Sequence, residues 1–245
     1  MHLFLQIHRD LPREAPGSSE STLKALAMIQ SELPPSPSIL DVGCGPGAQT
    51  VDLAKATGGR VTALDIHGPF LDDLRRRSRA AGVADRIEPV QESMFAMEFL
   101  DASFDLLWAE GSIYIFGFER GLVEWRHLLK SGGCFGLSEL CWLTKNPPAR
   151  ARDFWEEQYP QMRSVDESLR IIRDLEYTLV GHFTLPERDW WEGYYGPLEK
   201  RIAELRSEHP DDPQWHEALA AEQEEIELLR ACPGTYGYEF FVVRN

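Results

Sequence analysis

The segment Ile39-Leu40-Asp41-Val42-Gly43-Cys44-Gly45-Pro46-Gly47 limits the fold more than any other stretch of the chain. An apolar run carrying one acid enters a turn with glycine at every second position, and a helical pattern starts at Ala48. Glycine lets backbone turn left-handed and approach a ligand closely. The helix start beyond offers N–H groups with no intrahelical partner. A strand, a glycine turn and a helix in this order open an α/β sheet of the kind that binds ligands beyond the carboxyl ends of its strands.

The chain around this segment keeps alternating. Strand patterns cover Ser38–Val42, Arg60–Asp65, Arg86–Val90, Phe104–Trp108 and Cys134–Leu140. Helical spacing covers Ser18/Ser19 through Leu33, Ala48–Thr57, a stretch opened by Pro69 and stopped by Gly82, and Phe118, Leu122, Trp125 and Leu129. That alternation predicts a parallel sheet covered on both faces. Tyr177–Leu185 reads as a sixth strand and Tyr236–Arg244 as a closing strand added at the sheet edge. Residues 1–17, punctuated by Pro12, Pro16 and Gly17, read as irregular.

Charge and composition exclude several partners. With 25 Lys+Arg against 40 Asp+Glu the net charge is −15, which opposes nucleic acid because phosphates are bound by neutralising them. The run Arg75-Arg76-Arg77, with Arg79, reads as a solvated helix face. An aromatic content of 11% excludes disorder as the general state. No apolar stretch reaches the ~18–20 residues of a membrane span, and the apolar start at Met1–Gln6 is too short for a signal peptide. The four cysteines show no paired spacing, which suits reduced thiols and a cytoplasmic location. His209 and His216 are spaced too widely for adjacent helical turns, so no metal site is expected.

Dinucleotide sites share a glycine turn of this type, with the pyrophosphate on the helix N-terminus. Here the glycines stand at 43, 45 and 47, and Ala48 fills the sixth position of that fingerprint. Asp41, two residues before the first glycine, separates the readings: a carboxylate there repels a pyrophosphate and suits a ligand with an ammonium group and no phosphate. S-adenosylmethionine is such a ligand. Asp65, eighteen residues past Gly47, is placed to accept hydrogen bonds from a ribose diol; its alternative is an N-cap for the helix near Pro69.

Leu40–Gly47 resembles the first motif of class I S-adenosylmethionine-dependent methyltransferases. Ala63-Leu64-Asp65 resembles their second-strand acid, Ser103–Trp108 their fourth-strand motif, and Leu129-Lys130-Ser131-Gly132-Gly133 the turn before strand five. Trp108–Tyr114, Gly117–Gly121 and Ser138–Trp142 further resemble a subgroup of small bacterial methyltransferases related to the ubiquinone/menaquinone-biosynthesis type. The resemblance implies a Rossmann-like, seven-stranded, mostly parallel sheet with an antiparallel last strand, helices on both faces and a helical cap. It implies one methyltransferase domain over 1–245, with core 36–141 plus 177–185 and 236–245, and 142–176 and 186–235 as substrate-side cap. It also implies that Asp41, Gly43, Gly45, Gly47, Asp65 and Ile66 hold the cofactor S-adenosyl-L-methionine, and that Glu92, Ser93 and Met94 flank its adenine. The family often carries Asp where Ser93 stands, so backbone or Glu92 takes the adenine amine instead.

Positioning two reactants in line supplies ~7–11 kcal/mol of a barrier and a general base about 3–5, so methyl transfer needs no obvious triad. Glu110, just past the fourth strand, is the first catalytic candidate. Its readings are ligand for the methionine ammonium, base for a substrate, or a loop acid. Tyr114 follows one helical turn later, lining the transfer site or packing as a core aromatic. His67 borders adenosine in this scheme, and Glu139 either faces the acceptor or pairs structurally. Asn146-Pro147-Pro148-Ala149 mimics a base-amino methylation motif, but it follows strand five and lacks the aromatic that stacks a base. Trp142, Phe154, Trp155, Tyr159, Trp190, Trp191, Tyr194 and Tyr195 read as core beneath a lid, and residues 1–20 as a flap over the cofactor.

The expected partner is a small-molecule acceptor, uncharged or cationic, with a homodimer as one admissible assembly. A non-catalytic S-adenosylmethionine-binding protein and a nicotinamide-dependent oxidoreductase stay as rivals. The second leaves Asp41 and Phe104–Trp108 unexplained.

Overall fold

The computed structural model describes residues 2–245. Its strands are β1 (Ser38–Val42), β2 (Arg60–Asp65), β3 (Ile87–Gln91), β4 (Phe104–Glu110), β5 (Leu129–Trp142), the two-residue β6 (Arg163–Ser164), β7 (Thr178–Thr184) and β8 (Tyr236–Arg244). They form one sheet in the order β3-β2-β1-β4-β5-β8-β7, with β6 beside the end of β5. β1 to β5 pair in parallel, and β8 runs antiparallel to both β5 and β7. The seven-stranded, mostly parallel sheet expected from the sequence is present.

The closing strand is not at the edge, however. β8 lies between β5 and β7, and β7 forms the edge. Burial gives the reason: β8 is buried at every position but its last, through Phe240, Phe241, Val242 and Val243, whereas most of β7 is exposed. A strand buried on both faces belongs inside a sheet, and a short, exposed one closes it.

The helices are α1 (His2–Ile7), α2 (Ser19–Ile29), α3 (Ala48–Thr57), α4 (Gly68–Ala80), α5 (Ile113–Phe116), α6 (Phe118–Glu124), α7 (Ala149–Gln158), α8 (Val165–Asp174), α9 (Glu187–Trp190), α10 (Gly196–Glu208) and α11 (Pro213–Ala231). A π-helical turn over Trp191–Tyr195 joins α9 to α10. Residues 1–17, read as irregular, contain α1, because Leu3 and Ile7 find an apolar surface to pack against. Ser18 starts α2 as an N-cap, its Oγ accepting the Ser21 N–H at 3.1 Å. That helix stops at Ile29, four residues short of the Leu33 expected. The helix predicted through Leu129 ends at Glu124 and continues as a 3₁₀ turn.

Two apolar layers sandwich the sheet. One holds α2, α3 and α4 with the apolar side chains of α7, α9, α10 and α11; the other holds α5, α6 and α8. The segment 142–176 therefore divides, α7 lying on the first face and α8 packing against β7 and α6 on the second. Trp108 lies flat over Gly136 of β5, where an added Cβ would stand 2.4 Å from its ring.

Candidate functional site

The site starts where β1 ends. The N–H groups of Gly43 and Cys44 both donate to the Leu64 carbonyl, at 2.8 and 3.0 Å, folding the turn against β2. Gly43 has φ +71°, and a Cβ there would lie 2.5 Å from Ser112 Cβ. Gly47 has φ +83°, and a Cβ there would lie 2.2 Å from Leu74 of α4. Both positions thus need glycine for conformation and for space. At the end of β2, Asp65 Oδ2 accepts the Gly45 N–H at 2.9 Å and Oδ1 accepts the His67 N–H at 2.8 Å. Asp65 organises the turn, and His67 occupies the N-cap position of α4.

A cavity of about 280 Å³ opens over this turn. Gly43, Gly45 and Asp65 line it, with Ile66 and His67 beside them. Glu92, Ser93, Met94 and Phe95 line it from the loop after β3, and Ser112, Tyr114 and Ile115 from the N-cap and body of α5. Ile66 and Phe95 remain 58% and 55% exposed, so the rim presents apolar surface to the space. Ser93 Oγ accepts the Phe95 N–H at 3.2 Å.

Three of the residues singled out from sequence stand elsewhere. Gly47 supports the turn from below. Asp41 is fully buried behind it, one carboxylate oxygen accepting from Thr50 Oγ1 at 2.6 Å and the other without a hydrogen-bond partner. Burial, partly opposed by Thr50, pushes its carboxyl up to about 7. Glu110 is held by Arg13 Nη1 at 2.7 Å, Thr22 Oγ1 at 2.9 Å and Trp108 Nε1 at 3.1 Å. Its side chain is 3% exposed, and it ties the N-terminal segment to the sheet end. Glu110 and Arg13 border a recess of about 40 Å³ beside Gly43, Gly45 and Gln49, so that recess carries both signs of charge.

Tyr114 stands between the main cavity and a second chamber of about 230 Å³, together with Phe4 and Glu14. Burial raises the Tyr114 phenol, which keeps it protonated and suits it to shape the passage and donate a hydrogen bond. Trp155, Tyr159, Trp190 and Tyr194, among the eight cap aromatics expected in the core, line this chamber. Trp142, Phe154, Trp191 and Tyr195 pack away from it. Tyr159 donates its hydroxyl to Glu139, whose other oxygen is buried and without a partner. Burial raises Glu139 to about 7 despite that bond. The loop with Asn146 lines neither space.

Phe4, Glu14, Glu222 and Glu225 escaped the sequence reading because no motif marks them. His8 joins two of them, its Nδ1 2.9 Å from Glu14 and its Nε2 3.3 Å from Glu222. Burial alone would lower the imidazole, yet the two carboxylates more than offset it and hold His8 at about 9. Among the described residues no helix is long and apolar enough to cross a membrane, and no group of three or more His, Cys, Asp or Glu could hold a metal ion.

Residues 39–133 match the family model described as a methyltransferase domain. A sterol 24-C-methyltransferase, ERG6B, of Gibberella zeae is 31% identical over 67% of this chain and 46% of its own length. The chain spans less than half the length of such curated relatives. A SAM-dependent methyltransferase from Thiobacillus denitrificans, solved with S-adenosyl-L-homocysteine, superposes with TM-score 0.84 at 20% identity over 99% of this chain and 98% of that one. YjhP from E. coli superposes with TM-score 0.85 at 19% identity, covering 99% of both chains. Both superpositions extend over nearly the whole of this chain.

Proposed function

We propose that this chain, which carries a class I S-adenosylmethionine-dependent methyltransferase domain, binds S-adenosyl-L-methionine in the 280 Å³ cavity and transfers its methyl group to a small-molecule acceptor in the adjoining chamber. One observation carries the reading: the glycine turn and Asp65 open onto a cavity that meets a second, aromatic-lined space at Tyr114. When bound, the cofactor supplies a methyl group already activated by a positive sulfur.

The residues fit that group. Asp65 sits at the cavity wall with two acceptor oxygens for a ribose diol, and Ile66, Met94 and Phe95 offer apolar surface for the adenine. Glu92 and Ser93 lie beside them to meet its amine. Arg13 and Glu110 border the recess where both ends of an amino-acid zwitterion would meet an opposite charge. The Asp41 carboxyl buried beneath the turn gains its charge most readily beside a cationic ligand and not beside a pyrophosphate.

Tyr114 and Phe4, both partly exposed, shape the boundary between the two ligands, and buried rings form the wall behind them. A chamber of about 230 Å³ lies below the ~300–1,000 Å³ of drug-sized sites, which suits a compact acceptor. Glu110 acts here as a positioning residue, since its oxygens already serve Arg13, Thr22 and Trp108.

Isothermal titration with S-adenosylmethionine and S-adenosylhomocysteine tests the reading, with Asp41→Ala and Asp65→Ala as controls. Micromolar binding weakened in both variants is expected. Well-folded protein that binds neither ligand, but quenches on NADH addition, would restore the nicotinamide alternative. Binding without homocysteine-product release from any acceptor set would favour the non-catalytic one.

A further inference from the structure

The second chamber is more specific than its size suggests. Its rings come from five separate stretches of chain: Phe4 from α1, Tyr114 from α5, Trp155 and Tyr159 from α7 and its C-cap, Trp190 and Tyr194 from α9 and the π-helical turn, and Tyr238 from β8. Three carboxylates stand among them. Glu14 comes from the N-terminal segment, and Glu222 and Glu225 come from successive turns of α11. None of the lining residues is Lys or Arg.

The charges around this space do not balance. His8, behind the wall, is a single cation shared between Glu14 and Glu222. Glu225 receives only the neutral Tyr195 hydroxyl, at 2.5 Å, and burial raises its carboxyl. Glu14 keeps one buried oxygen without a partner. Beyond the Tyr159 hydroxyl, Glu139 is 2% exposed and also keeps one free oxygen. Buried carboxylates without matching cations either hold a proton or pair with a charge that a ligand supplies. Aromatic faces favour the same ligand, because a ring's negative face attracts a cation, most strongly when it is desolvated.

We propose that this chamber takes a compact organic cation, so that the methyl acceptor is an aliphatic amine bound as its ammonium between Glu225, Glu222 and the faces of Trp155, Trp190 and Tyr194. The inference rests on the reading of the neighbouring cavity as the cofactor site. In the transfer itself the neutral amine lone pair forms the new N–C bond, and the broken C–S pair stays on sulfur as the thioether. The proton that the ammonium carries passes to a chamber carboxylate before attack. A tertiary amine thereby yields a quaternary ammonium.

The test compares choline with 3,3-dimethyl-1-butanol, its uncharged isostere, and with 3,3-dimethylbutyrate. Binding to the full chain is followed by calorimetry and by Trp fluorescence, with and without S-adenosylhomocysteine. Choline is expected to bind at least tenfold more tightly than the alcohol, with no detectable butyrate binding. Glu225→Gln and Glu222→Gln should each shrink that preference severalfold while leaving S-adenosylhomocysteine affinity unchanged. Equal affinity for choline and the alcohol, or a preference untouched by both substitutions, overturns the proposal. The homocysteine-ligand titration reports separately on the cofactor cavity, so a failure there is distinguished from a failure here.

Discussion

The two adjoining spaces are made in different ways. The first cavity is built mainly from strand ends and the tight turns after them, and its key contacts start from backbone N–H groups: Gly43 and Cys44 on the Leu64 carbonyl, Gly45 on the Asp65 carboxylate. The second chamber is made of side chains from segments spread over the whole chain; His8 and Glu222, which brace it, are 214 residues apart. Backbone geometry at a strand end is dictated by residue types that few alternatives can replace. A side-chain chamber is dictated by packing, which many sequences satisfy. The first can therefore serve one ligand across many proteins, while the second is free to differ in each.

Removing the shared support should have the largest effect. Glu110→Ala strips the partner from a buried Arg13 and frees the N-terminal segment that borders both spaces, so a stability loss of about 3–5 kcal/mol is expected. Chemical denaturation measures it. A loss under 1 kcal/mol would mean that the two regions are held together by something other than this ion pair.

Gly43→Ala tests the backbone side alone. A non-glycine residue at positive φ costs about 1–3 kcal/mol, and the added carbon must displace Ser112. S-adenosylhomocysteine affinity should fall at least tenfold, with choline affinity in the ligand-free protein little changed. A parallel loss of both would show that the spaces are not separable.

The smallest effect concerns His8, which faces Glu14 and Glu222 and stacks on Phe4 at 4.0 Å. Its folded pKa of about 9 exceeds the unfolded 6.5, so its contribution is complete below pH 6.5 and fades as pH rises through 9. The thermal midpoint should decline between pH 7 and 10, and His8→Gln should flatten that decline. An unchanged slope in the variant would remove His8 as the link between the N-terminal segment and α11.

The same contrast decides what could be read from the residues. Asp65 and the 43–47 turn were legible because a glycine at positive φ and an acid at a strand end leave a fixed mark in sequence. Glu92, Ser93 and Met94 came from the family resemblance, and they do line the cavity. Glu14 and Glu225 carried no mark: an acid in an acidic, helical stretch looks solvated until tertiary packing brings it inside. Trp155 and Trp190 were visible as aromatics, but periodicity does not say whether a ring faces a core or a space. The place of β8 was legible in principle, since the unbroken run Phe240–Val243 already has the pattern of an interior strand.

That position of β8 also governs the order in which the molecule can be assembled. Among the described residues β7 has no neighbour in the sheet except β8, and about 50 residues separate the two in the chain. At the usual ~5–20 residues per second of synthesis, β7 waits on the order of several seconds for its only partner. The cofactor half, with β1 to β5 paired to one another, can close before then. Tyr238 is the last chamber ring to be made and arrives on the strand that completes the sheet. The nascent protein is thus able to shape its cofactor cavity before its acceptor chamber exists, and a ligand bound early would stabilise a half-built molecule against unfolding.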